Sequence, residues 1–192
     1  MPSRRSVTEV ETIWTIGHST RTLDAFLGLL TEYRIEAVAD VRRFPGSRRY
    51  PHFAQDALSE TLPQHGIMYQ WLPKLGGRRP VQPDSPNDGW RNASFRGYAD
   101  YLSTEAFAEG LDALLALARQ RRTAMMCAEA VWWRCHRALI ADTLRVRGIE
   151  VIHITDATHS TVHPYTSPAR IVDGRLSYSL APQHPLTSNV RR

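Results

Sequence analysis

The only two cysteines of the chain lie eight residues apart, in Cys127-Ala128-Glu129 and Cys135-His136-Arg137. Two thiols, a carboxylate, an imidazole and a guanidinium so close together supply a nucleophile, proton carriers and a holder for an anion. Cys135 is the first candidate nucleophile. The spacing predicts it in the first turn of a helix, where the helix dipole and the charges of Arg134 and Arg137 favour a thiolate. Cys127 is the second candidate, although alone it reads equally well as a small buried hydrophobe on a strand. His136 or Glu129 would handle the proton, and Asp40 is a further acid–base candidate. Arg137 at a helix start opposes the dipole. Such a placement suits a ligand or a buried carboxylate, with Asp40 or Glu129 as the expected partner.

A second set of residues suits anion binding. His18 and Ser19 follow Gly17 at a strand-to-helix turn, where backbone N–H groups can meet an anion. Ser19 or Thr20 can equally cap the next helix. Arg42, Arg43, Arg48 and Arg49 are interleaved with Phe44, Tyr50 and Phe53, a mixture that suits base stacking with phosphate contacts and also describes an ordinary solvated loop. Lys74 stands beside Gly76-Gly77. The anion-binding candidates are therefore His18, Ser19, Arg42, Arg43, Arg48, Lys74 and Arg137.

Two other chemistries rank lower. A cysteine-phosphatase loop needs an arginine six positions after its cysteine, whereas Arg134 is seven after Cys127 and Trp132-Trp133 fill the loop. A metal site could draw on Cys127, Cys135 and His136 with His18 or His153, and a metal-dependent hydrolase on Asp40 and Glu129. The spacing lacks the close ligand pairs of a structural zinc motif, so no metal is assigned. The sequence names no cofactor.

The elements that must position these groups alternate. Strands are expected at 12–17, 35–41, 67–72, 123–127 and 149–154, and helices at 22–34, 53–65, 98–120 (interrupted near Ser103) and 135–147, with Gly66 and Gly148 as stops. Residues 73–92 read as a turn-rich loop. Asp173-Gly174 between two strand-like runs is a hairpin signature. The reading is an α/β fold: a mainly parallel sheet with helices on both faces, a Rossmann-like three-layer sandwich, with a polar C-terminal extension carrying an edge hairpin. Residues 1–11 form a leader, 12–155 one domain and 156–192 the extension. Ligands of such sheets bind outside the carboxyl ends of the strands, and every candidate above falls near one.

With these stretches in place, the chain resembles the bacterial and archaeal family called domain of unknown function 488. The resemblance is carried by TIGHST (15–20), ADVRRFPGSRRYPHF (39–53), GIMYQWLPKLGG (66–77), FRGYADYL (95–102), MCAE (126–129), CHR (135–137) and GIEVIHI (148–154). It implies an α/β fold and a shared site, and no particular activity. Trp132-Trp133 occupy a loop expected to be more polar in that family, which bears on ligand preference.

Composition sets the bounds. A chain of 192 residues suits one domain with a real core, and 42% hydrophobic with 22% charged residues is ordinary for a globular protein. No apolar stretch suits a membrane span or a signal core, so a cytoplasmic protein with reduced thiols is expected. The net charge is +5, and Lys74 is the only lysine. The preference for arginine fits either anion recognition or a compositional bias. The sequence thus points to an enzyme of hydrolase or transferase type, acting on an anionic, phosphate-bearing small molecule or nucleic-acid component. The alternative is a nucleotide or nucleic-acid binder without thiol catalysis; oligomeric state is not legible.

Overall fold

A computed structural model describes residues 9–181. The expected leader and the end of the extension thus lie partly outside the described residues. In chain order the elements are β1 (Thr12–Gly17), α1 (Leu23–Glu32), β2 (Ala37–Asp40), α2 (Gln55–Gln64), β3 (Met68–Trp71), α3 (Ala93–Tyr101), α4 (Glu105–Ala118), β4 (Thr123–Cys127), α5 (Arg137–Val146), β5 (Glu150–Ile154), β6 (Ser160–Val162), β7 (Arg170–Val172) and β8 (Arg175–Ser177). Six strands form one sheet in the order β3-β2-β4-β1-β5-β6, parallel except for β6. The edge strand β6 was not read from the sequence, because Ser160-Thr161-Val162 is short and exposed. The Asp173-Gly174 hairpin forms, but as a separate two-stranded sheet, β7-β8, rather than at the edge of the main sheet. Both turn residues take positive φ (48° and 74°), the conformation a two-residue hairpin of matching twist requires.

Alternation along the strands divides the core in two. Ile13, Met125, Cys127 and Val151 point to the face covered by α3, α4 and α5, packing on Leu111, Leu114, Leu139 and Leu144. Trp14, Ile16, Ala124 and Met126 point to the face covered by α1 and α2, packing on Phe26, Leu30, Leu58 and Leu62. Fully burying one such large side chain contributes about 1.5–3 kcal/mol. The result is the three-layer sandwich expected.

Local chemistry sets the helix bounds. Thr22, rather than Ser19 or Thr20, caps α1 through its side chain to the Ala25 N–H. Helix α3 begins at Ala93, five residues before the expected start, because Asn92 Oδ1 accepts from the N–H groups of both Ser94 and Phe95. Gly66 (φ 73°) and Gly148 (φ 81°) end α2 and α5 in the left-handed conformation.

After β1 the chain crosses to β2 on one side, and after β4 it crosses to β5 on the other. Since β1 and β4 are adjacent, their carboxyl ends form a topological switch point, where open α/β sheets place ligands. Gly17 and Cys127 are register partners there.

The C-terminal segment is tied to α5 by Asp142, which is fully buried. Its carboxylate accepts from His163 Nε2 at 2.9 Å, the Thr166 N–H at 2.9 Å, the Thr166 hydroxyl at 2.5 Å and the Tyr178 hydroxyl at 2.7 Å. Removing it leaves several buried donors unpaired. We expect Asp142→Ala to lower unfolding stability by about 3 kcal/mol or more, and Asp142→Asn by less, in urea melts at neutral pH. Equal melts for the two variants would contradict this role.

Candidate active site

Both sulfurs and a ring nitrogen of His136 lie within 4.8 Å of one another. Cys127 ends β4 and faces α5. Cys135 is not in the first helical turn, as expected, but just before the helix: it closes the short 3-10 turn Trp132–Arg134, and α5 begins only at Arg137. A thiolate there would therefore draw on side chains more than on the helix dipole.

Those side chains are specific. His136 Nε2 is 2.9 Å from the Val41 carbonyl, which can only accept, so Nε2 carries the proton. In the neutral ring Nδ1 is then a bare acceptor, 3.6 Å from Cys135 Sγ. Arg137 Nε donates to the same sulfur at 3.4 Å. Burial alone would raise the Cys135 pKa, but the hydrogen bond from Cys127 and the guanidinium charge of Arg137 outweigh it and pull it well below the usual thiol range. The Cys127 pKa moves the opposite way, raised first by its hydrogen bond to Cys135 and then by burial. The two directions favour Cys127 as the donor and Cys135 as the acceptor of the bond between them.

Arg137 is 1% exposed, and its donors go to Cys135 Sγ, the Thr15 hydroxyl (3.2 Å) and the Glu129 carbonyl (2.5 Å). The sequence suggested Asp40 or the Glu129 carboxylate as its partner. Neither is: Asp40 is taken by Arg42, and Glu129 offers its backbone oxygen while its side chain stays exposed. That oxygen reaches Arg137 because the chain crosses β1 at Gly17, where an added Cβ would stand 1.9 Å from it.

Behind Arg137 runs a buried chain that the sequence did not disclose. Thr15 Oγ1 is 2.7 Å from His153 Nδ1, His153 Nε2 is 2.9 Å from His163 Nδ1, and His163 Nε2 meets Asp142. With both histidines neutral every donor has one acceptor, running from Arg137 to Asp142. Burial first, and with it the charge of Arg137, hold the His153 pKa down to about 2. Trp132 stacks on His153 at 4.3 Å, with planes 4° apart.

Asp40 is fully buried and holds Arg42 through two side-chain bonds, at 2.8 and 2.6 Å. It also accepts from Tyr69 Oη at 2.6 Å. It thus positions Arg42 and does not line the cleft. Arg42 in turn meets His18 Nε2 at 3.2 Å, and His18 stacks on Phe53 at 4.3 Å. The backbone N–H groups of His18 and Ser19 are not open to an anion: they donate to the carbonyls of Cys127 and Ala128, both at 2.9 Å.

A cleft of about 590 Å³ opens over the sulfurs, lined also by Arg42, Arg43, Arg78, Glu129 and Arg134. Arg78 and Arg134 join it from loops whose sequence carries no periodic signal. His18 and Ser19 line an adjoining cleft of about 350 Å³. Lys74 is elsewhere, paired with Glu109. Arg48 is exposed and outside both linings. Gly77 packs against the site, since an added Cβ would stand 2.9 Å from His136 Nδ1.

Cys127, Cys135 and His136 form the one cluster among the described residues able to hold a metal ion. An ion there would require both thiols to lose their protons.

Burial, then Arg42, lowers the His18 pKa to about 4, with Asp40 opposing and His52 adding to the shift. Between about 6.5 and 4 the unfolded chain binds the proton that folded His18 refuses. Stability is therefore whole above that window and falls as pH drops through it, by up to about 3 kcal/mol. We expect His18→Gln to flatten this part of the stability–pH curve in thermal melts. An unchanged slope would show that His18 is not held neutral.

No helix among the described residues is long and apolar enough to cross a membrane. No curated protein and no solved structure matches the chain. A family model does match, over residues 22–144, which include β2, β4, both cysteines, His136 and Arg137. The chain belongs to the family described as domain of unknown function DUF488.

Proposed function

We propose that this protein is an enzyme that acts on an anionic, phosphate-bearing substrate through a Cys135 thiolate. The observation that carries this reading is Arg137. An arginine stays charged at any ordinary pH, and a buried charge needs a counter-ion. Among the described residues no carboxylate pairs with it, and the group set against its Nε is Cys135 Sγ. A thiolate there satisfies the arginine, and a thiolate at the floor of a cleft is a nucleophile.

The roles follow from the geometry. Cys135 Sγ attacks the electrophilic centre of the substrate and forms a bond to it. The displaced group leaves with its bonding electrons as an anion, toward Arg78 and Arg134 on the cleft wall. Water, or an acceptor alcohol, then gives a proton to His136 Nδ1 and takes the transferred group. Cys135 returns as a thiolate and the proton passes from His136 to solvent. The net reaction is hydrolysis, or transfer where an alcohol enters. Cys127 holds the thiolate by a hydrogen bond.

Iodoacetamide labelling with peptide mapping tests this. We expect Cys135 to label nearly as fast at pH 6 as at pH 8, Cys127 to lag at both, and inorganic phosphate or AMP to slow the Cys135 reaction. Arg137→Ala should slow labelling at pH 6 by roughly tenfold or more, since it removes the cation that holds the thiolate, and its thermal melt is followed alongside. Labelling that begins only above pH 8, or stoichiometric zinc in the purified protein, would overturn the proposal.

A further inference from the structure

The cleft over the sulfurs does not end at Arg42. It shares Arg42, Phe44, Gly46, Ala128 and Glu129 with the adjoining cleft beside His18, so the two are lobes of one groove. Each lobe has the volume of a site for one small molecule. Together they can hold neighbouring units of one extended ligand.

The junction carries an aromatic ring with no packing reason to be there. Phe44 is 64% exposed, the highest exposure among the large hydrophobic side chains described. The Arg43 guanidinium lies 5.4 Å from its ring centre. In the second lobe, Arg49 lies 5.5 Å from the Tyr50 ring in the same manner. A ring beside a cation recurs along the groove. Rings that can take a base face, interleaved with cations that can take phosphates, are the elements of single-strand recognition. Such a ring meets a base only when that base is unstacked from a helix. Among the described residues Glu129 is the only carboxylate lining either lobe, and it lines both. It repels phosphate but accepts from an exocyclic amino group or a ribose hydroxyl.

We infer that the substrate is a single-stranded nucleic acid, which runs through both lobes with one base stacked on Phe44 and one phosphodiester presented to Cys135. This inference rests on the thiolate reading and names the substrate class of that same site. A mononucleotide in the lobe over the sulfurs would leave Arg49 and Tyr50 of the second lobe without a role.

Fluorescence anisotropy of the full chain with a fluorescein-labelled single-stranded octamer, as RNA and as DNA, tests it. AMP serves as competitor and the matching duplex as control. We expect the octamer to bind roughly 10- to 100-fold more tightly than AMP or the duplex, because stacking adds to phosphate contacts. Phe44→Ala, at an exposed position where folding is not at stake, should weaken the octamer about 5- to 100-fold and leave phosphate protection of Cys135 intact. Arg49→Ala should weaken it and reduce the magnitude of the salt slope by about 0.7. An octamer no tighter than AMP, a duplex that binds as well, or a Phe44→Ala variant that binds like wild type would overturn the inference. If the octamer fails while phosphate still protects a reactive Cys135, the substrate class falls and the thiolate mechanism stands. If the octamer binds but Cys135 is inert, strand binding stands and the mechanism falls.

Discussion

A buried arginine without a carboxylate governs this site. Arg137 is held in the interior by a sulfur, a hydroxyl and a backbone carbonyl, so charge balance falls to Cys135. In the proposed mechanism the thiolate, the retained proton on Cys127 and the open Nδ1 of His136 follow from that requirement. The positions that deliver each partner follow as well. Gly17 lets the Glu129 carbonyl cross β1, and Thr15 stands on the same sheet face as Cys127. The chain from Thr15 to Asp142 fixes the outer side of the guanidinium and reaches the C-terminal segment, so that segment is coupled to the site through hydrogen bonds.

The arginines divide into two kinds. Arg42 and Arg137 are buried and committed to fixed partners within the protein. Arg43, Arg78 and Arg134 line the cleft, and none of them forms an ion pair among the described residues. The first kind builds the walls, and Arg137 lowers the Cys135 pKa. The second kind leaves positive charge facing the opening. Burying Asp40 behind Arg42 keeps one carboxylate away from the opening, which leaves the lining cationic despite the exposed Glu129.

The five parallel strands and the hairpin turn were legible because each rests on local chemistry: runs of branched and apolar residues, and an Asp-Gly pair able to take positive φ. Two local readings failed where a side chain outside the pattern took over. Asn92 starts α3 earlier than the apolar stripe indicates, and Cys135 stands ahead of its helix because Trp132–Arg134 form a separate turn. The expected anion site at His18 and Ser19 was lost to a neighbour. Their backbone donors are spent on the chain that follows β4, and nothing near Gly17 in sequence announces this.

The sequence by itself determined the elements, their order and therefore the switch point at which thiols, imidazoles and arginines gather, since periodicity and turn chemistry act over a few residues. Tertiary structure decided which charge pairs with which. Thr15 and His153 are 138 positions apart, Arg137 and Thr15 122, and His136 and Val41 95. Such pairs form only when parallel strands and their crossovers bring distant segments into one buried volume. There the cost of an unpaired charge selects the partner, and Arg137 takes a sulfur where composition had offered a carboxylate.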